Sequence, residues 1–504
     1  MSKPASAPAA KPRVIRPLGP FECFQSALYQ LDLYCGTIVT CRYAIPENLQ
    51  GADRHDGLVG FWERAVAHTV LQHPLLQVGI IKRNSKKPAW VHLDRIDLTQ
   101  LIEWRILDNP EKYEATSNII RQEQTDTKFS GDATQPGWRM VVLQLDTEDL
   151  LEVMFVWNHT NLDGTGGKIF HETLLQSLNS VGNDSSLVLD NHSFKPNATI
   201  KTMPPPLTTV GEFSFTAGFT ATILWKELKP PMFKKKLPPH TTRTPLSLTP
   251  LRTQSRTLSI DNETLKNVLS ACREHKTTLT GLLHGISLVS LVNHLKDEPL
   301  TAIASATPLN VRRLIPSKPP AYPELEPSTA MANYVSRMEH EFDEVLVSKI
   351  RDQARSATTE TERIAALEDL MWSVSTTVRE EIQAKIDLGF KNELCGLMGV
   401  VGDYRGYMKD QLKHQRAGSW LVTNLGVIDG AKGTSSAEDW TIKRASFSLG
   451  ANVIGPLFVV SPIAVKGGDL TIGVSWQDQV IDARIGEAAA ADLGTWLRHL
   501  GSKA

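Results

Sequence analysis

The chain is poor in the features that usually announce a function. Its five cysteines, Cys23, Cys35, Cys41, Cys272 and Cys395, are an odd number with no Cys-x-x-Cys pair, which argues against a disulfide framework or a zinc knot and favours reduced thiols in a cytosol. Charge of one sign is equally absent. Fifty-four Lys and Arg against 55 Asp and Glu give a net charge of −1, so no general nucleic-acid-binding surface is expected. Unbroken apolar runs long enough to cross a bilayer are missing too. The nearest approach, Ala445 to Val465, carries no charge but holds Ser446, Ser448, Asn452, Ser461, Pro456 and Pro462, and it reads as two buried strands and a bend rather than a membrane span. Residues 1–16 are rich in Pro, Ala, Lys and Arg with no apolar core, which predicts a disordered tail and no secretion signal.

Several catalytic signatures are also lacking. No Gly-x-Ser-x-Gly elbow occurs, which removes the usual α/β-hydrolase reading. Gly164-Thr165-Gly166-Gly167-Lys168-Ile169 departs from a phosphate loop in its glycine spacing and in the residue after lysine. His171-Glu172 has no second histidine at zinc-binding spacing. His284 and His294 read as packing or pocket-lining residues, and Trp157 as core.

What is present is a long chain of ordinary globular composition. Its 504 residues, 41% hydrophobic and 22% charged, exceed a single core and predict two domains. The first half predicts a short helix and strand over Phe21 to Arg42, a helix from Leu58 to His73, strands at Leu76 to Ile81 and Ala89 to His92, and a helix over Asn109 to Thr127. Loop chemistry fills residues 183–255, with the prolines of Met203-Pro204-Pro205-Pro206 and Lys229-Pro230-Pro231, and an apolar piece from Phe213 to Leu228 reads as a helix. Beyond it come a strand at Ser255 to Ile260, a capped helix from Asn262 to His275, a long helix from Thr280, and a charge-rich helical stretch from Glu341 to Lys385 read as a solvated face.

The chemistry concentrates in Asn158-His159-Thr160-Asn161-Leu162-Asp163-Gly164. The apolar strand Leu150 to Trp157 runs into it and an amphipathic segment from Lys168 to Leu178 follows. A neutral imidazole at His159 can accept a proton near pH 7, and a carboxylate one helical turn on can fix the local backbone.

The His-x-x-x-Asp-Gly of His159, Asp163 and Gly164 resembles the signature of the CoA-dependent acyltransferase superfamily, which holds chloramphenicol acetyltransferase, plant BAHD enzymes, fungal alcohol acetyltransferases and condensation domains. Other elements recur in order over residues 17–500: His73-Pro74-Leu75-Leu76, Gln135-Pro136-Gly137-Trp138-Arg139, the helix in Thr277 to Val292, Thr307 to Arg313, the Thr423-Asn424-Leu425-Gly426 segment, similar to the family's crossover strand, and the closing strand and turn from Asp469 to Asp482. Asn158 stands where condensation domains carry a second histidine, and the Asp-Phe-Gly-Trp-Gly segment of the plant enzymes is absent. The chain therefore looks most like the fungal alcohol acetyltransferases of secondary metabolism.

The resemblance implies a mixed α/β fold of two chloramphenicol-acetyltransferase-like subdomains with the site in a tunnel between them. In this sequence they would be an N-terminal unit at 17–200, a linker at 201–254 and a C-terminal unit at 255–504. It implies O-acyl transfer, and expects acetyl-CoA as co-substrate, no tightly bound cofactor and no metal. A small hydrophobic alcohol would be the acceptor, and the protein a cytoplasmic monomer. His159 would be the base and Asp163 a structural brace paired with Arg312 or Arg313. Gly164 would give room for the turn, Asn424 or Ser448 would contact the oxyanion or acceptor, and Lys234, Lys235 and Lys236 would guide the CoA phosphates. A condensation-like enzyme using a carrier-bound thioester, and a member that has lost acyl transfer, remain open alternatives.

Overall fold

A computed structural model describes residues 13–50, 55–107, 109–145, 149–180, 188–228, 246, 251–295, 302–414, 416, 418–431, 436 and 438–503. Two large sheets organise the chain. The first has five strands in the order Thr441–Leu449, Thr37–Ala44, Leu150–Trp157, Trp138–Leu145, Ile102–Leu107. One of its faces carries Val39, Cys41, Tyr43, Val153, Phe155, Trp157, Met140 and Val142, which pack with Trp62, Val66, Phe170 and Leu174 of the helices His55–Gln72 and Gly164–Ser180 into one core. This is the period of two of a strand meeting the apolar stripe of a helix.

The second sheet runs Thr253–Ile260, Leu470–Gln477, Phe458–Val465, Trp420–Val422, Ile303–Asn310, Val335–Phe342, with Val427–Ile428 also paired to Phe458–Val465. The helices Asn262–Glu274, Leu279–His294, Glu360–Asp387 and Ala483–Gly501 contribute to its core. The Leu279–His294 helix begins at Thr278, whose side chain accepts from Gly281 N, a hydrogen-bonded N-cap.

Thr441–Leu449 joins the halves. It comes from the second half of the chain yet pairs antiparallel with Thr37–Ala44 of the first sheet, while Ser461 Oγ of the second sheet donates to the Phe447 carbonyl at 2.7 Å. The uncharged 445–465 segment is thus two buried strands, as expected, but they belong to different sheets.

Four expectations need correction. The crossover resemblance falls on Thr423 to Gly426, but that segment is a loop turning at Gly426, φ 71°, and the strand that crosses is Thr441–Leu449. The tail expected over 1–16 ends in a strand, Val14–Pro17, paired with Ala89–His92; residues 1–12 lie outside the described residues. The stretch from Glu341 to Lys385 starts inside the strand Val335–Phe342 and holds two helices, Glu344–Ser356 and Glu360–Asp387. Nor is the longer helix merely a solvated face. It buries Leu367, Leu370, Met371, Val374 and Val378, and a Cβ at Gly285 on the neighbouring helix would lie 2.5 Å from the Met371 carbonyl. The charge is confined to its outer side, and the helix-period apolar stripe prevails.

Candidate active site

The site begins where the Leu150–Trp157 strand ends. Asn158 N donates to the Gly137 carbonyl at 2.8 Å, and its Oδ1 accepts from Thr160 N at 2.9 Å, closing an Asx turn. Trp157 Nε1 donates to the Leu162 carbonyl at 2.9 Å, and Asn161 Nδ2 donates to the Leu75 carbonyl, at 3.0 Å, in the His-Pro-Leu-Leu segment. The loop that carries His159 is therefore tied at both ends and in its middle.

Asp163 sits at the entry to the Gly164–Ser180 helix. Its Oδ1 accepts from Gly166 N at 2.9 Å, satisfying one of the free amides of the first turn. Arg312 meets it in a bidentate pair, Nη1 to Oδ2 at 2.8 Å and Nη2 to Oδ1 at 3.0 Å, and Tyr334 N donates to Oδ2 at 2.9 Å. Both side chains of the pair are buried. Arg312 also donates to the carbonyls of Ala330 and Ala332, so its planar fork is saturated with acceptors. Arg313, the other candidate, is exposed. Asp163 thus faces away from open space and clamps the first half of the chain to the second.

Gly164 is needed for closeness rather than for a bend. A Cβ there would lie 2.9 Å from Leu425 Cδ2 and 3.0 Å from Phe447 Cζ, where the linking strand packs against the helix start. Gly167 gives the same closeness to the Trp157 ring, 2.3 Å from its would-be Cβ. The glycine-rich run is a packing surface, which is why it resembles a phosphate loop without its spacing.

His159 itself is mostly buried. Burial pushes its pKa below the ordinary histidine value, opposed by its own carbonyl, the Asp163 charge and Asn333, so the imidazole is neutral at pH 7 and can accept a proton. Phe21 and Tyr34 flank it with ring centres 6.2 and 6.0 Å away. Asn333 Nδ2 donates to the carbonyls of His159 and Thr160, each at 3.0 Å, and Arg83 donates to Thr160 Oγ1 at 3.3 Å. Sequence reasoning missed Phe21, Tyr34, Asn333 and Arg83.

Beside this group lies a cleft of about 350 Å³, mouth included, lined by Phe21, Pro205, Leu207, Asn333, Tyr334 and Met398 among others. Its lining mixes apolar side chains with Glu22, Thr208 and Asn333, and it would have to widen to admit a substrate. Cys395 also lines it, but burial pushes that thiol up to about 12, which leaves it protonated and a poor nucleophile.

Asn424, Ser448 and Lys234 to Lys236 are the other expected contacts. Asn424 is exposed, donates to Thr280 Oγ1 at 3.1 Å and accepts from Gly426 N at 2.8 Å. Ser448 is buried in the linking strand, opposite Ile38 in register. Among the described residues neither is hydrogen-bonded to His159 or Asp163. Lys234, Lys235 and Lys236 lie outside the described residues. His171 donates from Nε2 to the Val39 carbonyl at 3.0 Å and accepts at Nδ1 from the Tyr43 hydroxyl at 2.9 Å, a fully used core histidine. His284 is likewise buried and bonded, to Thr307, Ser305 and Trp420.

Comparison with known proteins gives the family and the fold. A family model described as alcohol acetyltransferase matches residues 97–489. A protein of Fusarium pseudograminearum described as "Probable alcohol acetyltransferase FCK4" is 26% identical over 505 residues, covering 98% of this chain and 96% of the relative. One of the same description, crmB of Aspergillus fumigatus, is 22% identical and covers 92% of this chain and 95% of its own. Among solved structures, the trichothecene 15-O-acetyltransferase TRI3 of Fusarium sporotrichioides superposes with a TM-score of 0.67 at 12% identity, covering 98% of this chain and 99% of that one. The condensation domain of the monacolin K polyketide synthase MokA gives 0.57 at 10% identity over 97% and 98%. The expected two-lobed, mixed α/β fold is the one found.

Proposed function

The chain belongs to the alcohol acetyltransferase family and is an acetyltransferase, and from that premise we propose that it moves the acetyl group of acetyl-CoA to a hydroxyl of a small hydrophobic metabolite. The kinship with two fungal relatives and the fold shared with a trichothecene acetyltransferase support an acceptor made in secondary metabolism, a terpenoid or polyketide alcohol. The observation that carries the reading is His159: neutral, held in a tied loop, and flanked by Phe21 and Asn333, two residues that line the cleft.

In this mechanism His159 Nε2 takes the proton of the acceptor hydroxyl as its oxygen attacks the thioester carbon. The tetrahedral intermediate collapses, the C–S bond breaks, and the imidazolium returns the proton to the departing CoA thiolate. Asp163 touches neither substrate; it positions the loop through Arg312. Ser448, buried on the strand that links the halves, is our candidate for a group near the oxyanion. Asn424 is already engaged by Thr280 and Gly426. Lys234, Lys235 and Lys236 remain the proposed guides for the CoA phosphates. Both substrates meet in a tunnel between the halves, and the enzyme works as a cytoplasmic monomer.

The test is incubation of pure protein with acetyl-CoA and a panel of fungal terpenoid and polyketide alcohols, with mass detection. A gain of one acetyl group on an alcohol is the expected result. Inert acetyl-CoA, with transfer only from a carrier-bound thioester, would move the assignment to a condensation-like enzyme.

A further inference from the structure

Four buried polar atoms of the His159 loop and the segment facing it have no hydrogen-bond partner among the described residues: Asn158 Nδ2, Asn161 Oδ1, His159 Nδ1 and Asn333 Oδ1, and the last two concern the base. Those two belong to groups already in contact. The Asn333 amide folds around the His159 backbone, and its orientation is fixed by chemistry, since the two atoms it meets, the carbonyls of His159 and Thr160 at 3.0 Å each, can only accept. The nitrogen of the amide therefore faces those carbonyls and the oxygen is turned to the remaining side. An acceptor left buried and unpaired is destabilising. The two atoms are not hydrogen-bonded to each other in this structure; a turn of the His159 ring that brings an Nδ1–H to this oxygen would satisfy both.

We propose that Asn333 is the positioning residue of His159: its Oδ1 receives the Nδ1–H of the imidazole, which fixes the tautomer that leaves the Nε2 lone pair free for the acceptor hydroxyl. The inference rests on His159 being the base. It assigns to the 332–334 segment a task beyond holding Asp163 through Tyr334 N. When His159 takes its proton, the same Oδ1 stabilises the imidazolium, much as a carboxylate does behind other catalytic histidines. The charged and titratable groups around the ring are Asp163 with its partner Arg312, the Tyr34 phenol from the chain segment after the first helix, and Arg83 behind Thr160. None of them bonds to Nδ1. Burial lowers the pKa of His159, and its own carbonyl, then the Asp163 charge, then Asn333 favour the charged form, so the His159 carbonyl is the rival acceptor that the test has to separate from Asn333.

Asn333→Ala and Asn333→Asp form the decisive pair. Both lose the two N–H···O bonds to the loop, so a purely structural role predicts equal damage. They differ at Oδ1, which alanine removes and aspartate keeps with a negative charge. The rate rises with pH as His159 loses its proton, so the acid limb of kcat should move to lower pH in Asn333→Ala and to higher pH in Asn333→Asp. In Asn333→Ala kcat should fall about 10- to 100-fold, within the roughly 10²- to 10⁴-fold that a general base supplies, with the KM for acetyl-CoA little changed. Coincident acid limbs in both variants and wild type would overturn the proposal.

A readout independent of turnover accompanies it. In ¹⁵N-histidine NMR, the resonance that disappears in His159→Ala reports the tautomer, and Nδ1–H with bare Nε2 is expected in the wild-type protein. Nε2–H there would overturn the assignment even if neither variant folds, and an Nδ1–H tautomer unchanged in Asn333→Ala would give the role to the His159 carbonyl instead. A protein that shows the expected tautomer but acetylates no alcohol would fault the proposed reaction and leave the positioning intact.

Discussion

At the scale of single residues, the proposed mechanism divides the site into a group that would react and groups that hold it. His159→Ala should lower kcat by about 10²- to 10⁴-fold and leave acetyl-CoA binding near its original strength, because in the proposed mechanism the imidazole acts on a proton in flight rather than on the bound donor. Turnover close to wild type in a folded variant would remove His159 from the chemistry. Asp163→Asn tests the holding side. It leaves Arg312 buried with its charge uncompensated, a change that costs about 3–5 kcal/mol, so urea unfolding should shift sharply together with activity. Full stability with a selective loss of rate would mean that Asp163 acts on substrate or on His159 directly. Sequence left Arg312 and Arg313 equivalent; the turn Arg312–Leu314 separates them by burying one and exposing the other.

At the scale of elements, the strand Thr441–Leu449 decides whether the halves act together. Phe447 is 1% exposed and packs on Gly164 while its carbonyl accepts from Ser461. Phe447→Ala should cost about 3–5 kcal/mol of stability, measured by chemical denaturation, and should slow acetyl transfer, since it loosens the start of the helix below His159. A loss under about 1 kcal/mol would show that the strand is not the joint.

This strand also marks the limit of what the sequence discloses. The loop holding His159, Asp163 and Gly164 was legible because strand, turn and helix are local and their residues adjacent. The absence of charge over 445–465 showed burial, but which sheet each strand joins depends on pairing with residues some four hundred positions away, Thr37–Ala44, and no local pattern encodes that register. For the same reason Phe21, Tyr34 and Asn333 stayed hidden, since no spacing ties them to His159. The helix Glu360–Asp387 was misread because its charges dominate the composition while its apolar stripe follows a period of 3.6.

At the scale of the whole molecule, buried neutral histidines make stability depend on pH. Burial lowers His73 and His171 to about 4, and lowers His159 and His284 as well. Unfolded, each titrates near its ordinary value of 6.5. Between those values the unfolded chain binds protons that the folded chain does not, so stability is complete above about pH 6.5 and is lost as pH falls toward 4. His73 and His171 each contribute on the order of 3 kcal/mol by this linkage. A thermal scan series should therefore show Tm falling steadily from pH 7 to pH 4.5, ahead of carboxylate protonation; a flat profile would mean these histidines are hydrated or charged in the folded state.

The two halves also set the order of reaction. Burial raises the pKa of all five cysteine thiols and the sequence has no elbow serine, so among the described residues neither a cysteine nor an elbow serine is prepared to carry the acetyl group, and the proposed direct transfer requires donor and acceptor to be bound together. Initial rates against varied acetyl-CoA at several fixed alcohol concentrations give double-reciprocal lines that intersect if acetyl passes directly across His159. Parallel lines, with an acetyl group retained on protein that has met acetyl-CoA alone and released by added alcohol, would contradict it.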